Sequence, residues 1–320
     1  MRAAQVKDFG GPEVLAPVEL PDPVPGPGEV LIDVAYADTI FVETQVRAGW
    51  GRDYFPMTPP YVPGGGVSGV VAALGPGTPE EWLGRRVTSF VQGSYASRAV
   101  AASSALTAVP DDVDLLTAAA LVHDGVTAAG VLELTAVTAG DRVLVLGASG
   151  GMGTLLIQLA LARGARVVAL ARGPEKLALV RELGATRAVD AGASDWPERA
   201  REALGGAADV VLDGVGGETG TAAFPLTADG GRFSAHGAPS GGFASVDTDA
   251  ADRRGITLFG IGDVRFAPAE LWRLTSYALG EAAAGRVRPV VGRVVPLERA
   301  SEAHALIEGR GVVGKVVLEV

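Results

Sequence analysis

The stretch with the most definite chemical meaning is VLVLGASGGMGTLLIQLA, residues 143–160. A continuous apolar run from Val143 to Leu146, suited to a buried parallel strand, enters a tight glycine turn, and a helix leaves it. At such a turn Gly150 lets the backbone approach a pyrophosphate, and Gly153 lets the helix pack closely on the strand. The backbone of Ala148, Ser149, Gly151 and Met152 surrounds the helix start, where free amides face phosphate charge. Ala148 stands where the commonest form of this fingerprint has its first glycine. A second apolar run, ARVVALA at 165–171, follows the helix. Flanked by two such strands, the turn reads as a dinucleotide site rather than an ordinary bend.

The second run ends in Ala171-Arg172, where a site for an unphosphorylated ribose usually has an acidic residue. A carboxylate there would repel a 2′-phosphate, whereas a guanidinium pairs with it through two hydrogen bonds. Lys176, one helical turn on, adds a second cation, and the chain has only three lysines. The expected cofactor is NADPH. Gly214, Val215 and Gly216 in DGVGG fall at the end of another apolar run, where such sheets meet their ligands. Gly260 and Gly262 in LFGIGD allow close approach to the carboxamide end.

Composition removes several chemistries. There is no cysteine among the 320 residues, so disulfides, thiolate nucleophiles, iron–sulfur clusters and thiolate zinc sites are all absent. Three histidines, His123, His236 and His304, are too far apart in sequence for a ligand-like cluster, and no metal is expected. A net charge of −10 argues against a nucleic-acid partner. No apolar stretch approaches the length of a membrane span, and the start, MRAAQVKDFG, lacks a secretory pattern, so a cytoplasmic location is expected.

The elements that must hold these residues come in two styles. Residues 1–110 alternate β-branched runs with Pro/Gly turns; in PVPGPGEVLIDVAYA, Val30, Ile32 and Val34 share one face. This density of short strands predicts a compact antiparallel barrel or sandwich. From Pro110 onward, strand and helix patterns alternate, as in a doubly wound parallel sheet. DLLTAAALVHDGVTAAGVLEL reads as one helical stretch, PAELWRLTSYALGEAAAG as another, and VRPVVGRVVPL and GKVVLEV as strands. The last of these needs a sheet to join, and the first segment is a plausible host. The α/β part is then an insertion.

With those motifs in place, the chain resembles the medium-chain dehydrogenase/reductase superfamily, and within it the zinc-independent quinone oxidoreductase group. The resemblance runs through VETQVRAG, PYVPGGGVSGVVAALG, AAALVHDGVTA, GASGGMG, EKLALVRELGA, DVVLDGVGG and GVVGKVVLEV, nearly the full length. It implies a Rossmann domain at 119–264 inserted into a GroES-like, β-rich catalytic domain at 1–118 and 265–320. It also implies a homodimer joined through the Rossmann sheet, and hydride transfer to a small molecule: a quinone, enone or enoyl acceptor. A dedicated biosynthetic enoyl or carbonyl reductase, and a non-catalytic NADPH-binding sensor, remain open beside it.

Two departures from the family pattern concern the site. Zinc-containing members carry a cysteine and a Gly-His-Glu triplet; here the triplet position reads Gly64-Gly65-Gly66. Gln45 replaces a tyrosine of the quinone oxidoreductases. By position in the family, Thr127 faces the nicotinamide end, His123 and Asp124 lie near the cleft, and His236-Gly237 follow the fourth Rossmann strand beside the cofactor. His123 is a candidate donor to the substrate oxygen, with Asp124 and Gln45 as further catalytic candidates. Trp50, Tyr54 and Tyr61 are candidates for an aromatic pocket, and Asp38 for polar lining. His304 reads as a structural helix residue.

Overall fold

A computed structural model describes all of residues 1–320. The chain divides into two compact units, Met1–Val126 with Pro268–Val320, and Thr127–Ala267.

The second unit is built on a six-stranded parallel sheet. Its order is Arg187–Asp190, Arg166–Ala171, Arg142–Leu146, Ala208–Asp213, Thr227–Ala235, Thr257–Gly260. The chain starts in the middle, winds outward one way, then returns to wind the other way. The order therefore reverses between Arg142–Leu146 and Ala208–Asp213, and ligands of such sheets bind beyond the strand ends at that point. The three central strands are buried along nearly their whole length, as their unbroken apolar sequence requires. Leu144, Val168, Val211 and Phe233 form one core with Trp196 and Phe224 from the helical layer.

The first unit carries a seven-stranded sheet and a two-stranded one. The long strand Glu29–Asp38 pairs antiparallel with Gly66–Leu74, with Arg98–Ala102 and with the terminal Lys315–Glu319. GKVVLEV thus finds its host in the first segment. One pairing departs from the expected antiparallel pattern: Val291–Pro296 runs parallel to Lys315–Glu319. Helix Ala300–Glu308 covers this pair, a connection that only parallel neighbours need.

The apolar stretch read as one helix is two, Leu115–Val122 and Asp124–Leu134, bent by 46°. The Asp114 side chain caps the first by accepting from the Thr117 amide at 2.6 Å. His123 stands at the break, and its ring turns away from both helices toward Asp38. The first helix packs on Glu29–Asp38, Gly66–Leu74 and Arg86–Phe90, so it belongs to the first unit although its composition matches the second. No single helix is long and apolar enough to cross a membrane.

Candidate active site

In the second unit the glycine turn is shaped by close contact. Gly147 takes the left-handed conformation (φ +67°) that the turn requires. A Cβ on Gly153 would lie 2.2 Å from the Gly147 carbonyl and 2.7 Å from Ala148 Cα, so only glycine lets helix Gly151–Ala162 meet the strand. Ala148 is fully buried and gives its amide to Leu170. It therefore shapes the turn and leaves ligand contact to its neighbours. Gly150 is different. A Cβ there would meet only the Gly147 carbonyl at 3.5 Å, an ordinary contact, so space lies open above it. The helix begins at Gly150 without a side-chain cap, leaving the first-turn amides of Gly151 and Met152 for an external acceptor.

Three more chain segments converge on this end of the sheet. Gly147 would touch Val215 if it carried a Cβ, and Gly237 would strike the Gly214 backbone at 2.3 Å. Asp213, at the end of its strand, accepts the amides of Val215 and Gly216 through one oxygen, each at 2.9 Å, and pins that turn. His236 is buried, its Nδ1 3.0 Å from the Ser234 hydroxyl, while Nε2 has no partner and points past Gly214. Burial lowers its pKa to about 4, so the ring is neutral at pH 7. An orphaned polar nitrogen beside the open glycine turn is what a dinucleotide's polar edge would satisfy, so these residues fit such a group. Arg172 is exposed directly after the strand Arg166–Ala171, and Lys176 is half-buried on the next helix.

The first unit holds a buried ionic cluster. His123 Nδ1 lies 2.7 Å from Asp38 Oδ2. The other oxygen of Asp38 lies 2.6 Å from Lys315 Nζ, which also reaches Asp124 at 2.8 Å and donates to the Thr39 carbonyl at 3.0 Å. Asp38 is 1% exposed, the Lys315 side chain 3%, and the His123 side chain 21%. Phe90 packs edge-on against the imidazole, with ring centroids 4.7 Å apart. A Cβ on Gly65 would lie 2.8 Å from His123 Cε1, and one on Gly66 3.1 Å from Nδ1. Gly65 and Gly66 thus leave the space into which the ring fits, while Gly64 faces Ser94 and Tyr95.

The charges in the cluster set its protonation. Burial opposes the imidazolium, but the hydrogen bond and charge of Asp38 outweigh it, and His123 titrates above the usual histidine range. Burial also opposes ionisation of Asp38, yet Lys315 and His123 hold its carboxyl below the ordinary value. Asp124 is displaced the other way: burial raises it, and Lys315 only partly offsets this. Lys315 is held protonated, because Asp124 and Asp38 together exceed the cost of burial. The product is a ring whose charged form is favoured, held by Nδ1 with its other nitrogen available, at the C-terminal end of a helix that also favours positive charge.

Comparison with known proteins matches this architecture. Residues 26–111 fit the family model of the alcohol dehydrogenase GroES-like domain, and 151–270 that of the zinc-binding dehydrogenases. A quinone oxidoreductase from Sus scrofa is 31% identical over 99% of this chain and 97% of its own. The chain belongs to the quinone oxidoreductase-like group of the medium-chain dehydrogenases/reductases. A 2-haloacrylate reductase from a Burkholderia species is 29% identical over 99% of this chain and 98% of its own. A mycobacterial protein solved in complex with NADPH superposes over the whole of both chains, with 34% identity and a TM-score of 0.92.

Among members of this superfamily, this chain has Gly64-Gly65-Gly66 where the zinc-containing ones have Gly-His-Glu. No set of three His, Cys, Asp or Glu side chains is arranged to hold a metal ion. The imidazole beside the triplet comes instead from His123, far along the chain.

The structure distributes the remaining sequence candidates as follows. Asp124 joins the cluster through Lys315. Thr127 lies one turn beyond, on Asp124–Leu134. Gln45 sits half-buried on helix Phe41–Arg47, whose Glu43 and Arg47 belong to another buried network. There Tyr95 donates to Glu43 at 2.6 Å and lies 3.1 Å from His304, and Arg47 reaches His304 and Glu308. His304, fully buried, is thereby a structural residue. Trp50 and Tyr54 are exposed in the turn after that helix, while Tyr61 packs against the apolar core of the first unit. The three aromatics therefore do not form one pocket wall. Gly260 closes the last parallel strand and donates to Asp263, and Gly262 is exposed in the next turn. Lys315 is the residue that sequence reading missed. Its signal was a charged residue opening an apolar strand in a chain with only three lysines.

Arg172 permits a direct check on cofactor choice. Asp190 lies nearby: the Gly192 amide at 2.8 Å, the Gly173 amide at 3.3 Å and, less strongly, Arg172 hold its carboxyl below the normal range. Removing the guanidinium leaves that carboxylate facing any 2′-phosphate. Arg172→Ala is expected to raise the Kd for NADPH about tenfold, the loss of one charge-assisted pair, and to leave that for NADH almost unchanged. Titration of cofactor fluorescence gives both values.

Proposed function

We propose that this protein is an NADPH-dependent reductase that delivers hydride to a conjugated acceptor, a quinone or an α,β-unsaturated carbonyl, with His123 supplying the proton. The observation carrying this reading is the clamped imidazole: Nδ1 is engaged by Asp38 at 2.7 Å and Nε2 is left to act. Bound NADPH supplies the hydride. Every other role falls to the chain. The amides at the head of Gly151–Ala162 hold the pyrophosphate, Arg172 and Lys176 hold the 2′-phosphate, and Gly214, Val215, His236 and Gly237 bound the nicotinamide half.

Hydride arriving at an acceptor carbon pushes an electron pair onto the conjugated oxygen. A donor must stabilise that oxyanion and then protonate it or the adjacent carbon. Imidazolium does both with one nitrogen, and solvent restores its proton through the exposed edge. No residue of the cluster is used up. The relatives named for quinones and for 2-haloacrylate share a conjugated acceptor, which supports this class over simple alcohols. Assembly as a homodimer through the outer strand Thr257–Gly260 of the Rossmann sheet belongs to the same proposal, and sedimentation velocity reads it directly.

The test is NADPH oxidation with a panel of quinones, enones, enoyl thioesters and saturated ketones. Turnover of the conjugated members is expected. Tight NADPH binding with no oxidation by any of them would make the protein a cofactor-binding sensor instead.

A further inference from the structure

We propose that Lys315 is a positioning residue for the proton transfer: it takes one oxygen of Asp38, so that Asp38 grips His123 by Nδ1 through the other and the imidazole can release its second proton. This rests on the reading of His123 as the donor.

The geometry is that of a tripod. Three oxygens surround the Lys315 ammonium: it donates to Asp124 Oδ2 at 2.8 Å and to the Thr39 carbonyl at 3.0 Å, and it forms an ion pair with Asp38 Oδ1 at 2.6 Å. The ammonium is enclosed by these three oxygens and the side chain is 3% exposed, so Lys315 does not meet a substrate. It acts through Asp38. The arrangement is also long-range, since Lys315 lies 191 positions from Asp124 in the chain and the terminal strand must be in register to place it. The other two lysines lie elsewhere, and Arg is the usual cation of this protein. A compact ammonium fits a three-cornered buried site that a flat guanidinium does not.

The charges give the consequence. His123 faces Asp38 on strand Glu29–Asp38, Asp124 at the start of the following helix, Glu43 on helix Phe41–Arg47 and Lys315 on the terminal strand, with uncharged Phe90 and Gly65 on its remaining sides. Three carboxyl groups facing one half-buried imidazole would hold its proton too firmly for an acid working near neutral pH. Lys315 balances them, and its charge is the one neighbour that pushes the His123 proton off.

The test exploits the scarcity of histidine. His236 and His304 titrate at about 4 and 3, so the single imidazole titrating above the usual range in a histidine-labelled NMR spectrum is His123. Lys315→Met is expected to move that titration upward by about one pH unit, the effect of deleting a charge a few ångströms away. The basic limb of the kcat–pH profile should move with it. Asp124→Asn, a second variant should Lys315→Met fail to fold, removes a carboxylate instead and is expected to move the titration downward. An unmoved His123 titration in whichever variant folds overturns the proposal for Lys315. A moved titration together with full activity in His123→Gln would leave the clamp standing and overturn His123 as the donor.

Discussion

His123→Gln is expected to lower kcat with a conjugated acceptor by about 10²–10⁴-fold, the range in which a positioned general acid contributes. Glutamine keeps a side-chain amide that can donate to Asp38, so Asp38 is not orphaned and the cluster keeps its shape. What it lacks is a proton to give. The Kd for NADPH should stay within about twofold, because the glycine turn and cations proposed to hold the cofactor belong to the other unit. The pH dependence carries the sign. An acid catalyst works while protonated, so wild-type kcat should be level at low pH and fall as pH rises through the His123 titration. Burial works against the charged ring and Asp38 more than compensates, which places that fall above the ordinary histidine value. In the variant the fall should vanish, leaving a low rate without a histidine limb.

The competing interpretation is that His123 is only a structural helix-end residue. A buried ion pair broken from one side is strongly destabilising, and a structural residue would show this as a lowered Tm with the remaining activity keeping its pH profile. The two outcomes are separate measurements. Gly65→Ala offers a softer version of the same test, because its Cβ would press on His123 Cε1 from 2.8 Å and tilt the ring without altering any charge.

The fold was readable because its signals are local. The unbroken apolar runs of the parallel strands, the glycines of the turn at 147–153 and the change of period after Pro110 each lie within a few residues. The proposed cofactor site draws on signals of the same local kind: a turn, the helix it opens and the cation after the next strand span little more than 30 residues. The ionic cluster is the opposite case. Asp38, His123 and Lys315 come from three distant segments, and only the pairing of the terminal strand with Glu29–Asp38 brings them together. Sequence spacing singled out His123 and Asp124 as neighbours, yet their side chains reach different partners because the helix breaks between them. The break does have a local signal, because His123 is followed by Asp124 and Gly125, both poor formers of a helix interior. Sequence also put Tyr61 with Trp50 and Tyr54 because they are close in the chain. Tyr61 instead packs inward, where the bridge from Val6 fixes its backbone.

The second large effect concerns the glycine turn, and a pair of substitutions there separates shape from contact. Gly153→Val would place a branched side chain where even a Cβ lies 2.2 Å from the Gly147 carbonyl, and backbone cannot yield as a side-chain tip can. Helix Gly151–Ala162 must move off its strand, an overpacking cost of about 1–3 kcal/mol. Its leading amides then no longer converge, so the Kd for NADPH should rise by about ten- to a hundredfold, with a lower Tm in the absence of cofactor. Gly150→Ala differs in one respect. Gly150 has φ −81°, an ordinary extended conformation, and its Cβ would make only an ordinary 3.5 Å contact, so the cofactor-free protein should keep its Tm. Yet that methyl occupies the space open above the turn, and NADPH binding should weaken by a comparable factor. Calorimetric binding and thermal unfolding of the two variants decide the matter. If Gly150→Ala binds NADPH as wild type does, the pyrophosphate does not lie over this turn, whatever Gly153→Val shows.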